Sequence, residues 1–181
     1  MKSAIQTIDI TALRITPLAN SGALRDFSCG EPEIDQNLAK CGEWHSCHRS
    51  RVYCASLLGR NEIYGFYCLG LHAHRSEEIG EAFERSSDDV RSYVPFIYIN
   101  YLAVRAGFHR QKIGQVLLLN ALGHCASVIR RVGSYGVALT ALNGNAAALY
   151  DKYGFRCPVR NPPKYPLMVL PAQSVLDLFP A

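Results

Sequence analysis

Hydrophobic and polar positions follow two rhythms along the chain, and the switches between them mark its elements. Residues 10–18, ITALRITPL, alternate as a strand does, and Pro17 ends the run because it has no N–H for a ladder. Ile34, Leu38 and Cys41 then recur at helical spacing behind acidic Glu31, Glu33 and Asp35, which predicts a helix over about 31–48. Two apolar runs, VYCASLL and IYGFYCLGLHAH, are separated by Gly59, Arg60, Asn61 and Glu62 and read as a β-hairpin with a long second strand. Residues 75–92 are polar with only Ile79 and Phe83 as an apolar stripe, which suits a short surface helix or loop. Residues 96–104, FIYINYLAV, are β-branched and aromatic without alternation, as a strand covered on both faces reads.

Over 112–131, Ile113, Val116, Leu117, Leu118, Ala121, Leu122, Cys125, Val128 and Ile129 form one broad face at helical period, and Gly133 closes that helix. A strand in YGVALTAL, a helix in NAAALYDKY stopped by Gly154, a strand near YPLMVL and a short helix complete the chain. The order β α ββ (α) β α β α β predicts an α/β (α+β) fold, a mixed, mostly antiparallel sheet with helices on both faces.

The 181 residues suit one domain spanning 1–181, and 49% hydrophobic content supplies a core. Apolar stretches such as 96–104 and 116–122 fall short of the ~20 residues that cross a bilayer, and no apolar block of signal length precedes Asp9. The expectation is a cytoplasmic protein with no membrane contact. Seven cysteines, at 29, 41, 47, 54, 68, 125 and 157, are odd in number and lack paired short spacings, which suits reduced thiols. A net charge of +4 is compatible with a nucleotide cofactor or RNA and identifies neither.

The sharpest chemical signal is a buried strand delivered into AGFHRQKIGQ and then a long helix, which gathers main-chain N–H groups and a positive helix end, a receptor for phosphate. Arg105, His109, Arg110 and Lys112 add positive potential, although an ordinary βα loop reads the same way. The wording decides more than the loop. LAVRAGFHRQKIGQVLLL (102–119) resembles the acetyl-CoA motif of the GNAT superfamily, a strand ending L-A-V, six variable residues, then [Q/R]-x-x-G-x-[G/A] opening a helix. His109 stands in the Gln/Arg place, Lys112 in the first glycine place and Gly114 in the last Gly/Ala place. Lys112 must therefore take a glycine-like conformation with its side chain turned outward, or contact phosphate itself. The resemblance implies cofactor binding by Leu102, Ala103, Val104, His109, Arg110, Gln111, Lys112, Ile113, Gly114 and Gln115, with acetyl-CoA as cosubstrate and no metal.

NGNAAALYDKYGF (143–155) resembles the N-x-x-A-x-x-[LF]-Y-x-K-x-G-F segment of the same enzymes, through Asn143, Ala146, Leu149, Tyr150, Lys152, Gly154 and Phe155. In that resemblance an amine attacks the acetyl thioester directly, Asn143 meets the pantetheine arm and Tyr150 is the general acid to the departing sulfur. No Asp or Glu stands in the strand 96–104, where many relatives keep a general base; an amine already partly neutral near pH 7 needs none.

LRDFSCGEPEIDQNL (24–38) resembles the F-x-C-G-x-x-x-[LI]-D-x-x-L opening of GNAT toxins from bacterial toxin–antitoxin pairs, through Phe27, Cys29, Gly30, Ile34, Asp35 and Leu38. Those toxins acetylate the α-amino group of aminoacyl-tRNA, block translation and are neutralised by a ribbon-helix-helix antitoxin. An α-amino group, with a pKa of about 8, suits a site lacking a carboxylate base. Arg49, Arg51, Lys152, Arg156 and Lys164, with Lys40, Arg130, Arg131 and Arg160, are candidate phosphate contacts for an RNA acceptor. A small-molecule or protein amine as acceptor, a non-catalytic GNAT-fold binding protein, and a metal module on Cys41, His45 and His48 are the competing readings. The residues leave dimerisation, and the identity of the tRNA, open.

Overall fold

The computed structural model describes residues 7–79, 93–159 and 162–180. A 3-10 turn, Ile10–Ala12, capped by the Asp9 side chain on Thr11 N–H, replaces the start of the first expected strand, so β1 is Leu13–Pro17. There follow α1 (Pro32–Asp35), α2 (Leu38–Ser46), β2 (Arg51–Leu57), β3 (Ile63–Arg75), α3 (Ser76–Ile79), β4 (Tyr93–Val104) and α4 (Ile113–Val132). β5 (Gly136–Thr140), α5 (Gly144–Lys152), β6 (Leu167–Pro171) and α6 (Ala172–Leu178) end the described chain.

The six strands form one sheet in the order β1-β2-β3-β4-β5-β6. β1/β2, β2/β3 and β5/β6 are antiparallel and β4/β5 is parallel, so the mixed, mostly antiparallel sheet is present. The parallel pair follows from α4: a strand can return in the same direction only after a crossover long enough to span the sheet.

The single helix expected over 31–48 is two. Asn37 turns its Nδ2 back onto Glu33 O at 2.7 Å and Gln36 caps α1, so the first helix stops after one turn and α2 starts afresh. β4 begins three residues earlier than 96, at Tyr93, taking in Pro95, whose carbonyl accepts from Tyr135 N–H at 3.2 Å. The polar stretch 75–92 opens with the short α3, and the rest of it lies outside the described residues.

The chain divides into two compact units, residues 1–70 with 100–121, and 71–99 with 122–181. The first packs Leu24, Phe27, Leu38, Cys41, Val52, Cys54, Phe66, Cys68 and Ala103 into one core, with α2 lying against β2. Gly65 is required there, because a Cβ would stand 2.7 Å from Leu117 Cδ1 and 2.8 Å from the Ala103 carbonyl. In the second, Ile79, Val94, Phe96, Tyr98, Ala138 and Val169 form the core and α6 packs on β5 and β6. Gly133, at φ 85°, donates to Ile129 O and closes α4 as expected. By length and composition α4 is apolar enough to cross a membrane; Ile113, Leu117, Leu118, Ala121, Leu122, Cys125, Ala126 and Ile129 are buried within the protein. That stripe is what a core helix buries.

Candidate active site

The ladder between β4 and β5 runs from Ile97↔Val137 to Ile99↔Leu139. Beyond Ile99 the described ladder gives β4 no partner on β5, so Asn100–Val104 leave the main chain at Leu102, Ala103 and Val104 available on that side. At the strand's end the turn is tied down twice, by Arg105 N–H to Tyr64 O and Ala106 N–H to Ser28 O, both at 2.8 Å. Gly107, at φ 88°, reverses the chain and drops Phe108 into the interior, edge-on to Tyr64 at 5.1 Å. His109 Nε2 lies 2.9 Å from Val104 O, and Gln111 Oε1 accepts from Ile8 N–H at 2.9 Å.

Arg110 and Lys112 both adopt φ 63°, the left-handed region, and both are exposed. Lys112 therefore takes the glycine-like conformation with its side chain in solvent. A non-glycine residue in that region costs roughly 1–2 kcal/mol, and such strain collects at functional sites. Lys112 O then accepts from Gln115 and Val116 N–H and starts α4, so the amides of Ile113 and Gly114 stand in the first turn, where no intrahelical acceptor exists. The segment can hold an anion through main-chain amides, with His109, Arg110 and Lys112 around it.

Arg105 does not join them. Its Nε donates to Ile63 O at 2.7 Å and its Nη1 to Asp26 O at 2.9 Å, while the guanidinium lies over Phe27 and 3.7 Å from Glu62. The reading of Arg105 as a source of positive potential gives way to a structural one, because its donors face carbonyls and its charge faces a carboxylate.

The segment 27–38 is a knot built on Asp35. Its carboxylate accepts from Ser28 Oγ at 2.6 Å, Cys29 N–H at 2.9 Å, Cys29 Sγ at 3.2 Å and Gly30 N–H at 3.1 Å. Burial pushes the Asp35 carboxyl up, but the hydrogen bonds from Ser28, Cys29 and Gly30 outweigh it and hold the group below the usual carboxylate range. Gly30 takes φ 84°, Phe27 meets Phe66 edge-on at 5.1 Å, and Leu38 is buried. Ser28 O is the acceptor that ties down Ala106, so this knot braces the turn that follows β4.

In the second unit, Asn143 caps α5, its Oδ1 accepting from Ala146 N–H at 2.9 Å. Tyr150 lies two turns on and is 7% exposed, its ring 5.8 Å from Phe155. Burial pushes its phenol up to about 12. Gly154, at φ 89°, ends the helix and lets Phe155 N–H return to Tyr150 O, which fixes the tyrosine's backbone.

Arg49, Arg51, Lys152, Arg156 and Lys164 are all exposed, as are Lys40, Arg130 and Arg131; Arg160 lies outside the described residues. Arg156 is held by Asp151 through an ion pair and is a strut as much as a free cation, and Lys164 sits 4.9 Å over the Tyr165 ring. All seven cysteines are free thiols, five of them buried. The helical trio Cys41, His45 and His48 is divided among other tasks: Cys41 is buried, its thiol pushed up by hydrogen bonding to Cys68 and by burial, and His45 Nδ1 accepts from Val52 N–H at 3.1 Å. Among the described residues no cluster of His, Cys, Asp and Glu has a metal-holding arrangement. Sequence reading passed over Asn100, the one side-chain amide in FIYINYLAV; a polar residue inside an apolar strand was the signal.

The model of the Acetyltransferase (GNAT) family matches residues 23–155. A tRNA-acetylating toxin of Mycobacterium tuberculosis is 27% identical over 160 residues, 88% of this chain and 93% of that protein. Among the solved structures that share the fold are two complexes of the toxin AtaT. One is the tyrosine-to-phenylalanine mutant of the toxin AtaT bound to the C-terminus of the antitoxin AtaR and acetyl-CoA, at TM-score 0.71, 24% identity, 93% of this chain and 99% of that one. The other is AtaT complexed with acetyl-methionyl-tRNAfMet, at TM-score 0.76, 22% identity, 92% of this chain and 99% of that one.

Proposed function

Since the chain belongs to the acetyltransferase (GNAT) family and draws its acetyl group from acetyl-CoA, we propose that it is a toxin that acetylates the α-amino group of aminoacyl-tRNA and so blocks translation. The observation that carries this reading is the likeness, along 88% of the chain, to a tRNA-acetylating toxin. The shape of the turn after β4 supports an enzyme over a non-catalytic relative, because Lys112 and His109 change the motif's side chains while the backbone keeps a glycine's path.

Bound acetyl-CoA supplies an acetyl thioester poised for attack by a neutral amine. The residues divide the work. The amides of Ile113 and Gly114, with Gln115 behind them in the first turn, would hold the diphosphate, with exposed Arg110 and Lys112 beside them and His109 lying against Val104 O. Gln111 holds its stretch of the turn against the N-terminal segment. Past the end of the β5 ladder, the main chain of Leu102, Ala103 and Val104 would offer donors and acceptors to the pantetheine amides, with Val104 O already met by His109. Asn143 works through its cap, which sets the pitch of α5 and with it Tyr150, and orients the arm alongside.

Tyr150 is the general acid. A phenol held near 12 is protonated at every working pH, so its hydroxyl is always a donor. Giving that proton to a thiolate of pKa about 8.5 is uphill, so its first contribution is a charge-assisted hydrogen bond to the departing sulfur. No carboxylate base is needed, because an α-amino group of pKa about 8 is partly neutral already. Arg49, Arg51, Lys152, Arg156 and Lys164 contact the tRNA backbone. Residues 1–181 act as one catalytic domain in the cytoplasm, and a ribbon-helix-helix antitoxin is the neutralising partner; the AtaT–AtaR complex supports a partner of that role.

Expression in a bacterium should arrest growth, and Tyr150→Phe should relieve the arrest with transfer slowed about a hundredfold or more. Arrest that persists undiminished in Tyr150→Phe removes Tyr150 from the mechanism.

A further inference from the structure

Asn100 is a half-buried carboxamide in a strand of otherwise apolar and aromatic side chains. Its Nδ2 lies 4.0 Å from Cys68 Sγ, and Cys68 donates in turn to Ser50 Oγ at 3.2 Å. Ser50, 5% exposed, is a buried polar residue in this core. Gly70 makes the room for this arrangement, since a Cβ there would stand 2.6 Å from Asn100 Nδ2. The amide nitrogen thus has one long contact, to sulfur, and Oδ1 accepts no hydrogen bond from any described residue.

Its height along β4 matters. A strand advances about 3.3 Å per residue. Asn100 and Arg105 are five residues apart, about 16 Å at that rise, so a cofactor arm held along Leu102–Val104 from the turn would extend toward Asn100.

We infer that Asn100 receives the acceptor amine and selects for amines that are neutral, an assignment that rests on the acetyl-transfer reading above. Oδ1 accepts one N–H of the amine and leaves the nitrogen lone pair directed at the acetyl carbon. The N–C bond forms, the C–S bond breaks with its electron pair going to sulfur, and the surplus proton leaves the new amide nitrogen for solvent. Sulfur is hydrogen-bonded and then protonated through the Tyr150 hydroxyl, and the phenol regains its proton from solvent, so that the proton released by nitrogen balances the one gained by sulfur. An amide carries no negative charge, so it does not hold an ammonium as a carboxylate at this position would. An α-amino group of pKa about 8 is therefore favoured over an alkylamine of pKa about 10.4, whose neutral fraction at pH 7 is roughly two orders of magnitude smaller.

The test compares wild type, Asn100→Ala, Asn100→Asp and Gly70→Ala, reading kcat/KM for aminoacyl-tRNA and for an α-blocked lysine, with acetyl-CoA affinity by calorimetry. Asn100→Ala should lower kcat/KM for aminoacyl-tRNA about tenfold with cofactor affinity unchanged, and Gly70→Ala, which pushes the amide aside, should move it in the same direction. Asn100→Asp should raise the lysine-to-aminoacyl-tRNA ratio by about tenfold. Unchanged kcat/KM in both Asn100→Ala and Gly70→Ala overturns the assignment, as does a fall in cofactor affinity that parallels the fall in turnover. Wild-type protein that binds acetyl-CoA yet leaves aminoacyl-tRNA unmodified overturns the acceptor reading itself; wild-type transfer with an indifferent Asn100→Ala overturns only the role of Asn100.

Discussion

Two turns in the first compact unit carry family motifs, and they use their polar groups in opposite ways. In the turn at 28–35, Asp35 gathers Ser28, Cys29 and Gly30 inward, and each donor ends on the carboxylate. In the turn at 105–115, Arg110 and Lys112 sit exposed in a strained conformation while the amides of Ile113 and Gly114 stand where a helix has no internal acceptor. The first is internally satisfied and therefore a support; the second leaves donors and charge unused by the protein and therefore available to a ligand. Arg105 and Lys112 make the same contrast between neighbours, one cation bonded to two carbonyls and the other solvated. A motif residue is read as functional or structural by where its polar atoms end, which its spacing does not reveal.

The contrast breaks most visibly at Asp35. Asp35→Ala leaves several donors without their acceptor and should destabilise the fold by about 2–3 kcal/mol, measured by urea unfolding. Residual folded protein should still bind acetyl-CoA. The carboxyl's folded pKa is depressed below its unfolded value, so the stability it contributes is present above pH 4 or so and lost as pH falls through the folded pKa. Asp35→Asn should flatten that acid limb, and an acid limb identical to wild type would show that the carboxylate is not what holds the turn.

A smaller effect of the opposite kind is expected at Gly114. Gly114→Glu places a carboxylate at the helix start and should weaken acetyl-CoA binding by about tenfold or more while leaving the unfolding midpoint close to wild type. Unchanged affinity by calorimetry would mean the cofactor lies elsewhere. The smallest effect belongs to Lys112. Lys112→Gly relieves the left-handed strain and should raise stability by no more than about 1 kcal/mol, since the added freedom of glycine in the unfolded chain offsets part of the gain. The same change should weaken cofactor binding at low salt and matter less at high salt, as loss of an exposed charge does. Lower stability in Lys112→Gly would show that its side chain, and not its backbone, sustains the turn.

Much of this was legible in the residues. The apolar period of 113–132, the hairpin around Gly59 and the stop at Gly133 all follow from local chemistry, and each element lies where its pattern put it. The break between α1 and α2 was not legible, because the helical spacing of Ile34, Leu38 and Cys41 continues across it; the interruption comes from Asn37 bonding back to Glu33 O, a choice among local partners. Proline likewise misplaced the start of β4, since Pro95 sits where its missing N–H is tolerated. At the site, Gly114 and Tyr150 were singled out by the family resemblance and not by spacing, whereas the inward role of Arg105 depends on Glu62, Ile63 and Asp26, partners far away in sequence. Asn100 was visible as the one amide in an apolar strand, but its surroundings at Gly70 and Cys68 were not legible from that strand alone.

The central claim is an acetyl transfer onto charged tRNA that needs the Tyr150 hydroxyl. The most direct measurement incubates purified protein with radiolabelled acetyl-CoA and aminoacyl-tRNA and follows label in the tRNA fraction before and after mild alkali releases the amino acid. The account predicts label that leaves with the amino acid as its N-acetyl derivative, in wild type and not in Tyr150→Phe. Label that stays on the tRNA body after alkali, or appears equally with uncharged tRNA, would contradict it.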